Sequence, residues 1–147
     1  MKRLIAVATL GSIGYMPFPG TMGSIVAFLI LYPLRLYSFS LFLFAFVVSS
    51  CVGYYAIDFS LDYFNVKDPS IIVFDEVLGV FTSLLLLPVS SMYVILLFLL
   101  FRFFDITKIV GISWFEKLPG AVGVIADDVI AGMYALCACL FITLYVL

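Results

Sequence analysis

Five carboxylates stand inside or at the edge of apolar stretches: Asp75 and Glu76 in IIVFDEVLG, Asp105 in FRFFDITK, and Asp127 and Asp128 in GVIADDVIAG. A charged side chain at the centre of a membrane helix costs about 2.5–3.5 kcal/mol on insertion scales. Five of them, in a chain with only seven Lys and Arg, need a chemical reason. Arg102 and Lys108 lie three residues to either side of Asp105 and share its face if the helix runs that far. Two cations against five anions leave an excess of negative charge, and like charges in a half-buried layer repel. Oxygen-only donors at that density suit Mg²⁺, which binds through one or two carboxylates together with waters and a substrate phosphate. A network of interhelical ion pairs is the other reading, and the charge excess leaves it unbalanced. GSIGYMPFPGTMGS (11–24) is a second constellation. Pro17 and Pro19 stop a helix and Gly20-Thr21 opens the next, so free N–H groups there could hold a phosphate, with Thr21 or Ser24 adding hydroxyls. The same residues could instead serve tight packing through Gly20/Ser24 and Gly23/Ala27, as Ala131, Gly132, Ala135 and Ala138 do by their spacing.

The elements that must carry these groups follow from composition. Of 147 residues, 66% are hydrophobic and 11% charged, against about 45–50% and 25% in soluble domains. Such a chain cannot cover a water-facing surface, and the expectation is an integral membrane protein. Its class is all-α, a polytopic helical bundle forming one domain over residues 1–147. Five apolar segments are expected near 20–34, 40–57, 71–87, 92–104 and 123–147, the first ending at Pro33 and Arg35 and the third at Pro88. Residues 58–70 read as a polar loop. Residues 4–14 read as a short N-terminal helix and not as a cleaved leader, because no A-x-A-like site follows.

With the N-terminus cytoplasmic, Lys2, Arg3, Lys67, Arg102, Lys108 and Lys117 fall inside and Arg35 alone outside, the bias expected of inward-facing loops. That topology puts all five acids at the cytoplasmic ends of three helices, in one layer. The absence of His excludes Ser-His-Asp and Cys-His machinery and His-ligated zinc or haem. Cys51, Cys137 and Cys139 read as small buried hydrophobes, and none begins a C-x5-R loop. A net charge of −2 without a basic cluster argues against a nucleic-acid partner.

GSIGYMPFPGTMGS, IIVFDEVLG, FRFFDITK and GAVGVIADDVIAG, in this order and at these distances, resemble the phosphatidylglycerophosphatase A family, from about Leu10 to Tyr134. The resemblance implies a Mg²⁺-dependent bacterial membrane phosphatase that converts phosphatidylglycerophosphate to phosphatidylglycerol during phospholipid biosynthesis. It further implies a site facing the cytoplasm at the inner membrane. The carried-over acidic centre is Asp75, Glu76, Asp105, Asp127 and Asp128, with Lys108 beside it. The family pattern is departed from at Phe18, Ile109 and Ala121, none of which alters a charged group. On this reading Mg²⁺ is held by some of the five acids, and Asp127 or Glu76 positions the attacking water. Lys108, with Arg102 second, neutralises phosphate oxygens, and Gly20, Thr21 and Ser24 hold phosphate. The competing expectation is a small ion or proton transporter whose acids line a path. The two differ in depth, since a path needs polar groups along the whole bundle.

Overall fold

A computed structural model describes residues 2–67, 69–86, 91–109 and 111–145, and among them every regular element is helical. In chain order these are α1 (Lys2–Ala8), a 3-10 turn (Ile13–Tyr15), α2 (Pro19–Tyr37), α3 (Phe39–Phe64), α4 (Phe74–Leu84), α5 (Ser91–Thr107), α6 (Ile112–Phe115) and α7 (Gly120–Tyr145).

Three helices, α2, α3 and α7, are long and apolar enough to cross a membrane. At 1.5 Å per residue they reach about 28, 39 and 39 Å, against a hydrocarbon core of about 30 Å. Two of the five expected segments are shorter: α4 has 11 residues and α5 has 17, or about 16 and 25 Å. Pro88, expected to close the third segment, lies outside the described residues.

The short α4 is the centre of the molecule. Nine of its eleven residues are buried, as expected of a helix with no broad polar face. Its two hydroxyls bond to their own helix, Thr82 to the Leu78 carbonyl at 2.9 Å and Ser83 to that of Val80 at 2.8 Å. Lipid offers no hydrophobic drive for helix association, so close backbone approach through small residues matters. A Cβ on Gly132 would run into the Gly79 carbonyl oxygen. One on Gly79 would stand 2.8 Å from the Asp128 carbonyl oxygen and 2.6 Å from the Phe101 ring. The α4 and α7 backbones therefore touch, with Ala131 and Ala135 fully buried beside them.

Two boundaries differ from expectation. The α2 helix passes through Pro33 to Tyr37, since one missing N–H near the end of a helix costs less than exposing a whole unpaired turn to lipid. The α3 helix continues to Phe64 through Asp58 and Asp62, which were expected in a loop. Ile57 and Leu61, four apart, bury against α1 at Ala8, and Asp62 on the open side is exposed. Of the three cysteines, all free thiols, only Cys139 is buried; Cys51 and Cys137 are exposed, contrary to expectation, on helix faces turned out of the bundle.

The N-terminal piece sets up the start of α4. The Val73 N–H donates to the Ala8 carbonyl at 2.9 Å, and Gly14 packs so closely on the Ile71 carbonyl that a side chain there has no room. At the other end of the bundle Arg35 donates to the Leu85 carbonyl at 3.4 Å and lies 4.3 Å above the Phe39 ring.

Candidate functional site

A cavity of about 380 Å³ opens where α2 and α4 begin, α5 ends and α7 makes its second turn. Asp75, Glu76, Asp105, Asp127 and Asp128 all line it, with Arg102, Lys108, Gly20 and Thr21. The expected layer is therefore formed, and its residues come from four separate stretches of chain.

One half of the cavity is tightly knit. Arg102 Nη1 lies 2.5 Å from Glu76 Oε2 and 2.6 Å from Asp105 Oδ2. Ser24 Oγ lies 2.7 Å from Glu76 Oε2 and 2.7 Å from the Gly20 carbonyl oxygen, and it accepts from Arg102 Nη1 at 3.1 Å. Carboxylate oxygens of Glu76, Asp105 and Asp128, one from each, fall within 4.8 Å of one another. A Cβ on Gly20 would overlap Glu76 Oε1 and stand 3.3 Å from Arg102 Nη2, so any side chain there would have to displace the Glu76 carboxylate.

The other half is built around Lys108, the residue just after α5. Its backbone turns left-handed (φ 47°), and its ammonium pairs with Asp127 Oδ2 and, at 3.3 Å, with Glu116 Oε2. Burial opposes the charge on Lys108, but the Asp127 hydrogen bond and charge, then Glu116, outweigh it and hold its pKa above the ordinary lysine value. Successive residues on a helix point about 100° apart. The adjacent Asp127 and Asp128 thus divide between the two halves, Asp127 to Lys108 and Asp128 to the three-acid group.

Two helix starts border the cavity. At α2 the cap residue Phe18 is left-handed (φ 55°), makes no side-chain cap, and is followed by Pro19. The first intrahelical bond is Met22 N–H to the Phe18 carbonyl, so the N–H groups of Gly20 and Thr21 have no acceptor within the helix. Such a start favours an anion. Asp75 sits in the first turn of α4, where its Oδ1 lies 3.1 Å from the Glu76 nitrogen.

Ser24 is the one expected residue placed elsewhere. It is fully buried behind Glu76 and does not line the cavity, so it braces a carboxylate and is not exposed to a ligand. Residues not foreseen are Glu116, which pairs with Lys108, and Phe18, Ser70, Ile72, Ile106 and Val124 in the lining. Glu116 carried a usable signal, a lone acid in ISWFEKLPG close behind Lys108. The apolar lining carried none, because apolar residues are everywhere in this chain.

Fold and site define a class: an all-helical protein with membrane-length helices and a carboxylate-rich cavity at one end of the bundle. Within that class the chain belongs to the phosphatidylglycerophosphatase A family, whose model matches residues 6–143. It is 40% identical over 131 residues to a Bacteroides thetaiotaomicron protein provisionally named phosphatidylinositol-3-phosphatase, covering 83% of this chain and 82% of that one. It is 37% identical over 122 residues to phosphatidylglycerophosphatase A of Haemophilus influenzae (81% and 75% covered). With phosphatidylglycerophosphatase A of Escherichia coli the figure is 32% over 117 residues (78% and 68% covered). No solved structure matches the chain significantly.

Proposed function

We propose that the chain is a Mg²⁺-dependent phosphomonoesterase that hydrolyses phosphatidylglycerophosphate to phosphatidylglycerol and phosphate in phospholipid biosynthesis. Its site faces the cytoplasmic leaflet of the inner membrane, in a topology whose membrane segments include α4 and α5 as short ones. The observation that carries this reading is the convergence of Glu76, Asp105 and Asp128 from three helices within 4.8 Å, beside the Lys108 ammonium. Family membership and the names of the two phosphatidylglycerophosphatase A relatives support the substrate.

The donor set fits Mg²⁺, being all oxygen, drawn from three helices and too negative for Arg102 alone to balance. Glu76, Asp105 and Asp128 would hold it, and bound there it would polarise a phosphoryl oxygen and acidify a water. The chain's own groups do the rest. Lys108 donates to the phosphate oxygens that gain charge in the transition state. Gly20 and Thr21 N–H groups orient the phosphate at the start of α2. With Glu76 assigned to the metal group alongside Asp105 and Asp128, Asp127, the acid on the Lys108 side of the cavity, is the one left to take the proton from the attacking water. An ion path gains no support, because the buried hydroxyls along α4 bond to their own helix and the core beyond the cavity is Leu, Phe, Val and Ala.

The test is phosphate release by detergent-purified protein from phosphatidylglycerophosphate and, in parallel, phosphatidylinositol 3-phosphate, each with Mg²⁺ or with EDTA. Mg²⁺-dependent release from the first is expected. Release that EDTA leaves untouched removes the metal from the mechanism, and a preference for the inositol lipid moves the chain to the activity named for its Bacteroides relative.

A further inference from the structure

A second cavity, of about 260 Å³, runs between α2 and α5 and is lined by apolar and aromatic side chains, among them Ile25, Phe28, Leu29, Pro33, Ile95 and Phe98. We infer that this groove holds one acyl chain of the lipid whose phosphate occupies the charged cavity. The inference rests on the lipid-phosphatase reading above and adds the part of the substrate that the charged site cannot recognise.

Continuity with the charged site selects this occupant. The two helices that wall the groove are the two that carry Thr21, Ser24, Arg102 and Asp105. Ile25 is four residues beyond Thr21, and Phe98 is four before Arg102, so the groove starts about one helical turn, roughly 6 Å, below the charged cavity. From Ile25 to Pro33 it continues about 12 Å down the helices, in the direction a chain must take from a phosphate at the membrane face. The hydrogen bond from Arg102 to Ser24, 3.1 Å long, ties α2 to α5 at the upper end. Phe28 closes the floor, meeting Phe98 edge-on at 5.7 Å and Phe101 at 6.5 Å, so the trough does not open into the core. Leu29 and Ile95 stand exposed as its rims.

The mouth of the charged cavity has the same character on this side. Phe18 before α2 and Ile106 near the end of α5 both line it, and they are 78% and 69% exposed. A site that took its phosphate from water would gain nothing from an apolar gate. One that takes it from a bilayer needs a side opening over which glycerol ester groups and a chain can lie. Packed neighbouring helices leave a single trough between them, which is why one chain, and not both, is assigned to it.

The experiment compares two substrates in three variants. Leu29→Trp and Ile95→Trp fill the groove, and Leu144→Trp places the same bulk on an exposed position of α7 that does not line it. Each is assayed on long-chain phosphatidylglycerophosphate in mixed micelles and on a short-chain, water-soluble analogue. The groove variants should lose about tenfold or more in kcat/KM on the long-chain lipid, mainly through KM, and less than about twofold on the analogue. Leu144→Trp should change neither. Unchanged long-chain kinetics in both groove variants would overturn the inference. Equal losses on both substrates would do the same, because a blocked groove cannot slow a substrate that does not use it. A readout independent of turnover is crosslinking by phosphatidylglycerophosphate carrying a diazirine in one acyl chain. Label should concentrate on α2 and α5 peptides and be competed by unlabelled substrate but not by phosphatidylcholine. Label spread over all lipid-facing helices, or not competed, rejects the groove. If wild-type protein releases no phosphate from either substrate, the phosphatase reading fails, while the crosslink pattern still judges the groove.

Discussion

The two cations of the cavity sit in different worlds. Arg102 is 14% exposed and held on three sides by Glu76, Asp105 and Ser24, on a regular helix. Lys108 is 27% exposed, one residue past the helix end, and shares its ammonium between Asp127 and the more open Glu116. A planar guanidinium that bridges two carboxylates fixes their positions, whereas a compact ammonium on a flexible stem can follow a moving charge. On the proposed function, Arg102 is the group that holds Glu76 and Asp105 in position, and Lys108 the one that meets the phosphate.

The largest effect should come from the three converging acids. Glu76→Gln, Asp105→Asn and Asp128→Asn should each lower phosphate release by at least about 10²-fold, since a lost ligand removes both metal affinity and transition-state stabilisation. Asp75→Asn, which lines the cavity outside that group, should cost less. Steady-state turnover in detergent decides it, and near-normal rates in two of the three would end the shared centre.

Next comes the contrast between the cations themselves. Arg102→Ala leaves the buried Glu76 and the half-buried Asp105 uncompensated, a loss of about 3 kcal/mol, so it should lower the thermal midpoint in detergent and the activity together. Lys108→Ala should lower kcat with a smaller shift of the midpoint. If the two shifts are the same, the division of labour is wrong. A finer form of this test is Lys108→Arg, which should recover part of the lost kcat but not all, because the guanidinium directs its donors differently from an ammonium. Full recovery would reduce Lys108 to a generic positive charge.

The smallest effect belongs to Glu116→Gln, expected to change kcat/KM by no more than about threefold, as exposed ion pairs contribute little. The Lys108 pKa is raised in the folded protein. Its charge contribution is therefore complete below the unfolded lysine value of about 10.4 and is lost only as pH rises through the raised one. Between roughly pH 6 and 9 the variant and wild-type profiles should be parallel; a new alkaline fall in that window would make Glu116 part of the machinery.

How much of this was legible beforehand differs from residue to residue. The acids were readable singly, because an ionised group in an apolar stretch is too costly to be incidental. Gly132 was readable as a contact residue but not its partner, since small-residue spacing marks a face without saying what meets it. Ser24 was readable as a hydroxyl near a helix start. That it turns inward to Glu76 depends on α4 lying beside α2, which no local pattern encodes. Hydropathy marked α4 as a segment without fixing its surroundings: it has 11 residues, nine of them buried. Hydropathy measures how apolar a stretch is, and a helix buried on all sides by protein is as apolar as one bathed in lipid.

The sequence by itself determined the solvent, the helical class and the list of charged residues, because each follows from the transfer cost of single side chains and from the backbone's need for internal hydrogen bonds in lipid. Only the tertiary structure decided how those residues divide. Glu76, Asp105 and Asp128 meet because α4 touches α7 through Gly79 and Gly132, while Asp127 turns to Lys108 because its neighbour on the helix has already taken the other direction. Distances between groups far apart in the chain depend on how closely backbones approach, and that is settled by packing.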